Sequence, residues 1–361
     1  MSNNPIIHFE EIKSVNNPNS IHGIYPYRGK ISAIDAQNII RQLPSKGRLL
    51  DPFCGSGTIL YESQKHGLDV VGVDNNPLAI QLTKAKVYLE EDDSLALCKK
   101  IIEKAEKDYQ NSTYKEMLES PAKSFHAQTA SEIMCIKNYY EDMNDFLKGV
   151  FFGTIALAAR GCNDYIWTSS TVGKNIEPKR YINFFEKFFS KTKKHIKYLN
   201  DVTHKSAHII RADSRKLSNY IEPHSIDFVF TSPPYFDGLD YTAYYGKLIY
   251  DIFDQDRLEI KKNLIQYVST YEQDMKAVIE ELERVTTPNA LMIFVVGDKK
   301  IKGEVINGGE FFAKIKDASY IEERSYSGSS SQVFDTLNNT QRKEQIVVWD
   351  KFKGEIVKHG F

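Results

Sequence analysis

The chain has 361 residues, 41% hydrophobic and 26% charged, with 47 basic against 48 acidic side chains and a formal net charge of −1. That length can bury a sizeable core and suits one large α/β domain with an insertion, or two modest domains. Near-neutrality argues against a protein that coats nucleic acid indiscriminately, because phosphate contacts supply most non-specific affinity, yet it permits a local basic groove.

Residues 1–20 are rich in Asn and Pro and read as irregular. A helical pattern spans Ser32 to Leu43 and is stopped by Pro44. Arg48-Leu49-Leu50 is a short apolar strand that runs straight into Asp51-Pro52-Phe53-Cys54-Gly55-Ser56-Gly57-Thr58. A helix follows from Thr58 to Gly67, then a β-branched strand from Asp69 to Val73 that ends at Asp74, then helical spacing from Pro77 to Leu89. This alternation opens a doubly wound parallel sheet.

From Asp92 to Tyr198 the pattern is predominantly helical, with a polar break at Trp167 to Lys179. Strands resume at Ala207 to Arg211, followed by Ala212-Asp213, and at Ile226 to Phe230, which runs into Thr231-Ser232-Pro233-Pro234-Tyr235. Next come a helix at Tyr271 to Val285, a turn at Pro288-Asn289 and a strand at Ala290 to Val296. The remainder reads as a helix near Gly309 to Asp317, a strand at Tyr320 to Arg324, a mobile Ser/Gly-rich loop at Tyr326 to Ser331, and a last strand at Gln345 to Trp349. The expected organisation is one interrupted domain: 1–90 as its first part, 91–206 as a helical insertion and 207–361 as its second part. Cys54, Cys98, Cys135 and Cys162 are widely spaced, so neither a zinc knuckle nor a disulfide framework is expected. The nine histidines show no metal-ligand spacing, and no metal is expected. The absence of a signal-peptide core or a membrane-length apolar run leads us to expect a reduced, soluble, cytoplasmic protein.

Two loops carry the chemistry. In the first, Gly55 and Gly57 follow a strand and precede a helix, where glycines allow a sharp turn and close approach to a ligand. Asp74 ends the next strand, about 20 residues on, where a carboxylate can accept both hydroxyls of a ribose. The plainer reading makes Asp74 to Pro77 only a helix-capping turn, and the two readings are compatible. Asp213, ending the following strand, is placed to accept from an adenine amino group. A pyrophosphate prefers a bare helix N-terminus, whereas this loop begins with the carboxylate of Asp51, which suits an ammonium or sulfonium. That favours S-adenosyl-L-methionine over NAD. The cofactor set is therefore Asp51, Pro52, Phe53, Gly55, Gly57, Thr58, Asp74, Asn75 and Asp213.

In the second loop, two prolines fix φ and remove two backbone donors, so the turn is stiff and its carbonyls can accept. The Ser232 hydroxyl, a carbonyl near Pro233, Pro234 and the ring of Tyr235 suit a planar base that bears an NH2 group. Ser232 is too weak a base to take a proton, so its expected role is hydrogen bonding. The plainer reading is a proline-rich turn.

Together, and in this order, the loops resemble the amino-methyltransferases that act on nucleic acids. The first is similar to their cofactor motif, D-P-F-x-G-x-G-T, and the second to their catalytic motif. The Ser-Pro-Pro-Tyr form is similar to that of cytosine-N4 DNA enzymes, whereas adenine-N6 enzymes more often carry Asp or Asn before the prolines. Tyr25 to Lys30 resembles the family's cofactor-covering segment, which adds Tyr27 and Lys30 to the cofactor set, and Glu344 to Trp349 resembles its last strand. The resemblance implies an α/β class I methyltransferase, with a Rossmann-like, mostly parallel sheet and a large helical insertion after the second strand. It implies transfer of a methyl group from S-adenosyl-L-methionine to an exocyclic amine of a flipped DNA base, cytosine N4 foremost. Adenine N6 or an RNA or tRNA amino group is the alternative, and a catalytically silent nucleic-acid-binding subunit is the alternative of another class. The partners implied are DNA, with RNA as the alternative, and a companion restriction endonuclease or specificity partner. The insertion departs from the family's usual order, which puts target recognition in question.

Within the insertion, Lys179, Arg180, Lys187, Lys191, Lys193, Lys194 and Lys197 interleave with Tyr181, Phe184, Phe185, Phe188 and Phe189. On a helix the aromatics share one face, favoured as core, and the cations share the other. The alternative is a groove that tracks phosphates, with Lys179, Arg180, Lys187, Lys191 and Lys194 as contacts. Asn163 to Tyr165 and Trp167 to Lys174 are placed to reach base edges. Tyr241, Tyr244 and Tyr245 either wall a flipped base or pack the next helix.

Overall fold

The computed structural model describes residues 7–10, 20–27, 31–89, 93–165, 177, 180–201, 206–234, 240, 242–301, 304–326 and 342–351. In chain order they form α1 (Ala33–Ile40), β1 (Arg48–Asp51), α2 (Thr58–His66), β2 (Asp69–Asp74) and α3 (Pro77–Lys86). Five helices follow: α4 (Ser94–Asn111), α5 (Glu119–Ala122), α6 (Ala127–Lys137), α7 (Asp145–Cys162) and α8 (Phe184–Ile196). The chain returns to the sheet with β3 (Ala207–Arg211) and β4 (Ile226–Thr231), then forms α9 (Lys247–Ile252), α10 (Arg257–Lys262) and α11 (Tyr271–Val285). It finishes with β5 (Thr286–Gly297), β6 (Lys299–Ile301), β7 (Glu304–Ile306), α12 (Gly308–Ile315), β8 (Tyr320–Tyr326) and β9 (Arg342–Asp350).

Seven strands make one sheet in the order β3-β2-β1-β4-β5-β9-β8. β3 to β5 across this order are parallel, and β9 runs antiparallel between β5 and β8. This is the mostly parallel, Rossmann-like class I methyltransferase sheet that the resemblance implies. Alternation along the strands explains why both faces are covered. Leu50, Val71, Val229, Met292 and Phe294 point to a core shared with Met275, Val278 and Leu282 of α11. Leu49, Val70, Phe230, Ile293 and Val295 point to the other, shared with Ile39 and Ile40 of α1 and Ile59 and Leu60 of α2.

The helices between β2 and β3 pack round Phe151, whose ring meets those of Phe184 and Phe188 edge-on at 5.7 and 5.9 Å. Their core runs without a break into Leu78 and Leu82 of α3 and into Ile21, Ile24 and Tyr27. Gly153 makes this possible, because a Cβ there would lie 1.7 Å from the carbonyl oxygen of Ile24. The phenylalanine stripe of α8 is thus core.

The turn expected at Pro288-Asn289 is instead a bulge inside β5. Pairing with β4 jumps from Ile226–Thr286 to Phe228–Leu291, and the two turn-forming residues stand exposed on the excess length. The irregular stretch 1–20, the break at Trp167 to Lys179 and the loop at Tyr326 to Ser331 fall largely or wholly outside the described residues. All four cysteines are buried and unpaired. No helix among the described residues is long and apolar enough to cross a membrane.

Candidate active site

β1, β2 and β4 end side by side, and the site is built from the turns that leave them. After Asp51 the chain folds back on itself, with the Gly57 N–H donating to the Cys54 carbonyl at 2.7 Å. Gly55 and Gly57 have φ of +50° and +74°, a region that favours glycine. A Cβ on Gly57 would also stand 2.8 Å from the Thr83 hydroxyl, so the turn seats against α3 only because it has none. Asp74 bolts this turn to the next strand, accepting from the Gly55 N–H at 2.9 Å and from the Asn76 N–H at 2.8 Å. The cap of α3 is Asn76, not Asp74, with Pro77 in the first turn. Behind the turn, Lys86 Nζ donates to the Ser56 hydroxyl at 3.3 Å, and His22 pairs with Glu62 at 2.7 Å.

Asp51 is buried and accepts from the Phe53 N–H at 3.1 Å and from the Thr231 hydroxyl at 2.7 Å. That last bond ties the glycine turn to the first residue of the Thr-Ser-Pro-Pro loop, across neighbouring parallel strands. Burial pushes the Asp51 carboxyl up to about 7 against the pull of its two donors, and burial pushes Asp74 up to about 6. On the far side the Tyr271 hydroxyl donates to the Pro234 carbonyl at 2.6 Å.

These elements enclose a hollow with about 860 Å³ of free space, its open mouth included. Tyr27, Asp51, Phe53, Gly55, Thr58, Asp74, Asn75 and Asp213 of the cofactor set line it together with Ser232 and Pro234 of the catalytic set. Pro52 and Gly57 shape the turn from behind; the Pro52 carbonyl accepts from Ser214 Oγ at 2.5 Å. Asp213 reaches the hollow already engaged, because Arg215 Nε and Nη2 bind both its oxygens at 2.7 to 3.1 Å. Lys30, Lys179, Tyr235 and Tyr241, and the side chains of Tyr244 and Tyr245, are outside the described residues.

The cations of the insertion divide. Arg180, Lys187 and Lys194 are exposed. Lys191 is not, which corrects its placement in a phosphate-tracking groove. It faces inward, its ammonium donates to the Gly23 carbonyl at 3.2 Å, and burial lowers its pKa to about 7. Asn263, Leu264 and Ile265 also line the hollow and carry no motif. They come from the end of α10, and Asn75 Nδ2 holds the Asn263 carbonyl at 2.9 Å.

The lining fits S-adenosylmethionine on its own chemistry. Among the described residues it has three carboxylates and no cation, which repels a pyrophosphate and suits a ligand with an ammonium and a sulfonium. Gly55, in the left-handed region and without a side chain, lines the hollow with its backbone. The Thr58 hydroxyl is buried there without a hydrogen-bond partner.

The family model for D12 class N6 adenine-specific DNA methyltransferases matches residues 35–287. The chain is similar to the Type II methyltransferase M.MvaI of Kocuria varians, 23% identical over 88% of this chain and 76% of that one. It is similar also to the Type II methyltransferase M.MjaII of Methanocaldococcus jannaschii, 22% identical over 78% of this chain and 72% of that one. Among solved structures it is similar to the rRNA methyltransferase aviRa from Streptomyces viridochromogenes, at 13% identity and a TM-score of 0.34, over 93% of this chain and 95% of that one. With two motifs facing one acidic hollow and a family match across most of its length, the chain belongs to the D12 class of S-adenosylmethionine-dependent DNA methyltransferases.

Proposed function

We propose that this enzyme methylates the exocyclic amine of cytosine, at N4, in DNA. The observation that carries the reading is that Ser232 and Pro234 line the same hollow as Asp51, Gly55 and Asp74, so that an amine on the proline turn faces the cofactor without a covalent relay. Bound S-adenosylmethionine supplies a methyl group made electrophilic by its sulfonium. The protein's part is to hold the amine. The Ser232 hydroxyl and the Pro233 carbonyl accept its two hydrogens, turning the nitrogen lone pair out of the ring plane and toward the methyl. An alcohol does not take the proton, which leaves to solvent after transfer, once nitrogen has become acidic. Asp51 compensates the cofactor's positive charge, Asp74 takes its ribose, and Tyr27 covers it. Residues 91–206 form the recognition region, with Arg180, Lys187 and Lys194 on phosphates.

The cytosine reading rests on the short hydroxyl at 232, where a carboxylate or amide more often precedes the prolines of adenine enzymes. The family match favours the second reading, adenine N6. Mass spectrometry of nucleosides from DNA of cells that express the chain separates them. N4-methylcytosine is expected, falling on the order of a hundredfold in Ser232→Ala, the scale of losing one preorganised hydrogen-bonding group. N6-methyladenine instead transfers the assignment to adenine, and neither base sinks the DNA reading.

A further inference from the structure

The segment between α10 and α11 touches the site at both ends and projects from it in the middle. At its start, Asn263 to Ile265 line the hollow, and Ile265 is buried. At its end, Tyr271 grips the Pro234 carbonyl. Between them Tyr267 and Val268 are 42% and 49% exposed. They sit on a closed turn, in which the Thr270 N–H donates to the Tyr267 carbonyl at 3.1 Å. Gln266 Nε2 fastens the turn's base to the Lys261 carbonyl at 3.1 Å, and the Thr270 hydroxyl fastens its exit to Asp274 at 2.9 Å. α10 is in turn pinned by Asp240, which accepts from Lys261 at 2.6 Å and from Arg257 at 3.2 Å. Lone exposed apolar side chains are ordinary. An exposed aromatic and a branched aliphatic in succession, on a braced turn that follows directly on residues lining the hollow, have a specific use.

We propose that the Tyr267–Val268 turn enters the DNA base stack beside the target and occupies the gap that the flipped base leaves. Extruding a base forfeits its stacking on both neighbours, and an apolar side chain that takes its place recovers part of that loss. The braced turn pays little ordering entropy when it inserts. Lys262, exposed at the end of α10 and held among the described residues only by a surface ion pair to Glu259 at 3.3 Å, is a cation that a phosphate can recruit. The inference rests on the DNA-methylation reading above.

The test uses duplex oligonucleotides that contain a position found methylated by sequencing. In one set the target base is correctly paired, and in the other it stands opposite an abasic site, which removes its pairing cost and makes extrusion cheap enough that it no longer limits transfer. For Tyr267→Ser/Val268→Ser, methyl transfer to the paired duplex is expected to fall roughly tenfold or more, with cofactor affinity and Tm unchanged. On the abasic-opposed duplex the deficit is expected to shrink to about twofold. An equal deficit on both duplexes, or none on the paired one, overturns the inference. If the unaltered chain transfers no methyl group to any DNA, the DNA reading fails and takes this one with it.

Discussion

Tyr271 contributes one hydroxyl to the site, and the chemistry of proline makes that hydroxyl important. A turn with two prolines lacks two of the N–H groups with which it could anchor itself, so it depends more on donors from elsewhere. Thr231 ties its leading edge to Asp51, and Tyr271 occupies the Pro234 carbonyl. In the proposed mechanism that division keeps the Pro233 carbonyl for the substrate amine. Tyr271→Phe removes the hydroxyl and keeps the ring against Phe311, costing about 1 kcal/mol of stability. Its single-turnover transfer rate is expected to fall about tenfold as the turn loses its alignment. Cofactor affinity by calorimetry should not change; a parallel loss of both would place Tyr271 in the cofactor pocket. Tyr271 was legible in the sequence only as the start of a helix, because nothing local signals that its hydroxyl meets a loop 37 residues earlier. The motif residues were legible because their spacing is itself the turn. Lys191 shows the opposite limit: helical periodicity gave it a solvated face, but it sits at the boundary of the stripe and the close approach of Gly23 decided its direction.

Among the elements, the strands that build the site read clearly from the sequence because burial on both faces demands unbroken apolar runs. The pieces missed are short or depend on distant partners. α9 and α10 span only six residues each, and the β6–β7 ribbon only three per strand. At Pro288-Asn289 the local turn chemistry was read correctly but its scale was not: β4 keeps the flanks paired, so the chain bulges instead of stopping. α7 offers an element-scale prediction. With the Ile24 carbonyl 1.7 Å from any Cβ at position 153, Gly153→Ala must lift the helix off the segment that carries Tyr27. A destabilisation of about 1–3 kcal/mol is expected, read as a lower denaturant midpoint, together with weaker cofactor binding. A neutral outcome would mean that α7 and residues 20–27 move independently.

At the scale of the whole molecule, two buried carboxylates make stability and cofactor binding depend on pH in opposite directions. In the unliganded protein Asp51 and Asp74 titrate at about 7 and about 6, above their ordinary 3.8. The folded state therefore holds protons that the unfolded chain has lost. Their stabilising contribution is complete below about pH 4 and disappears as pH rises through those two values. If Asp51 compensates the cofactor's charge as proposed, a cationic cofactor binds its ionised form. The rise in Tm that S-adenosylmethionine produces is expected to grow from pH 6 to pH 8, and to lose most of that dependence in Asp51→Asn. A flat profile in the unaltered chain would separate Asp51 from the cofactor's charge.

The position of β9 has a consequence for how the molecule is made. It lies between β5 and β8, both of which leave the ribosome earlier, so two strands must await one that is synthesised after them. Until Ile346 to Val348 arrive, β5 presents an open edge bearing Ile293 and Val295, and β8 has no neighbour in the sheet. An unpaired apolar edge invites pairing with other chains. Nascent chains stalled short of residue 342 should therefore be the form of this protein most prone to clump, whatever the state of the catalytic half already built.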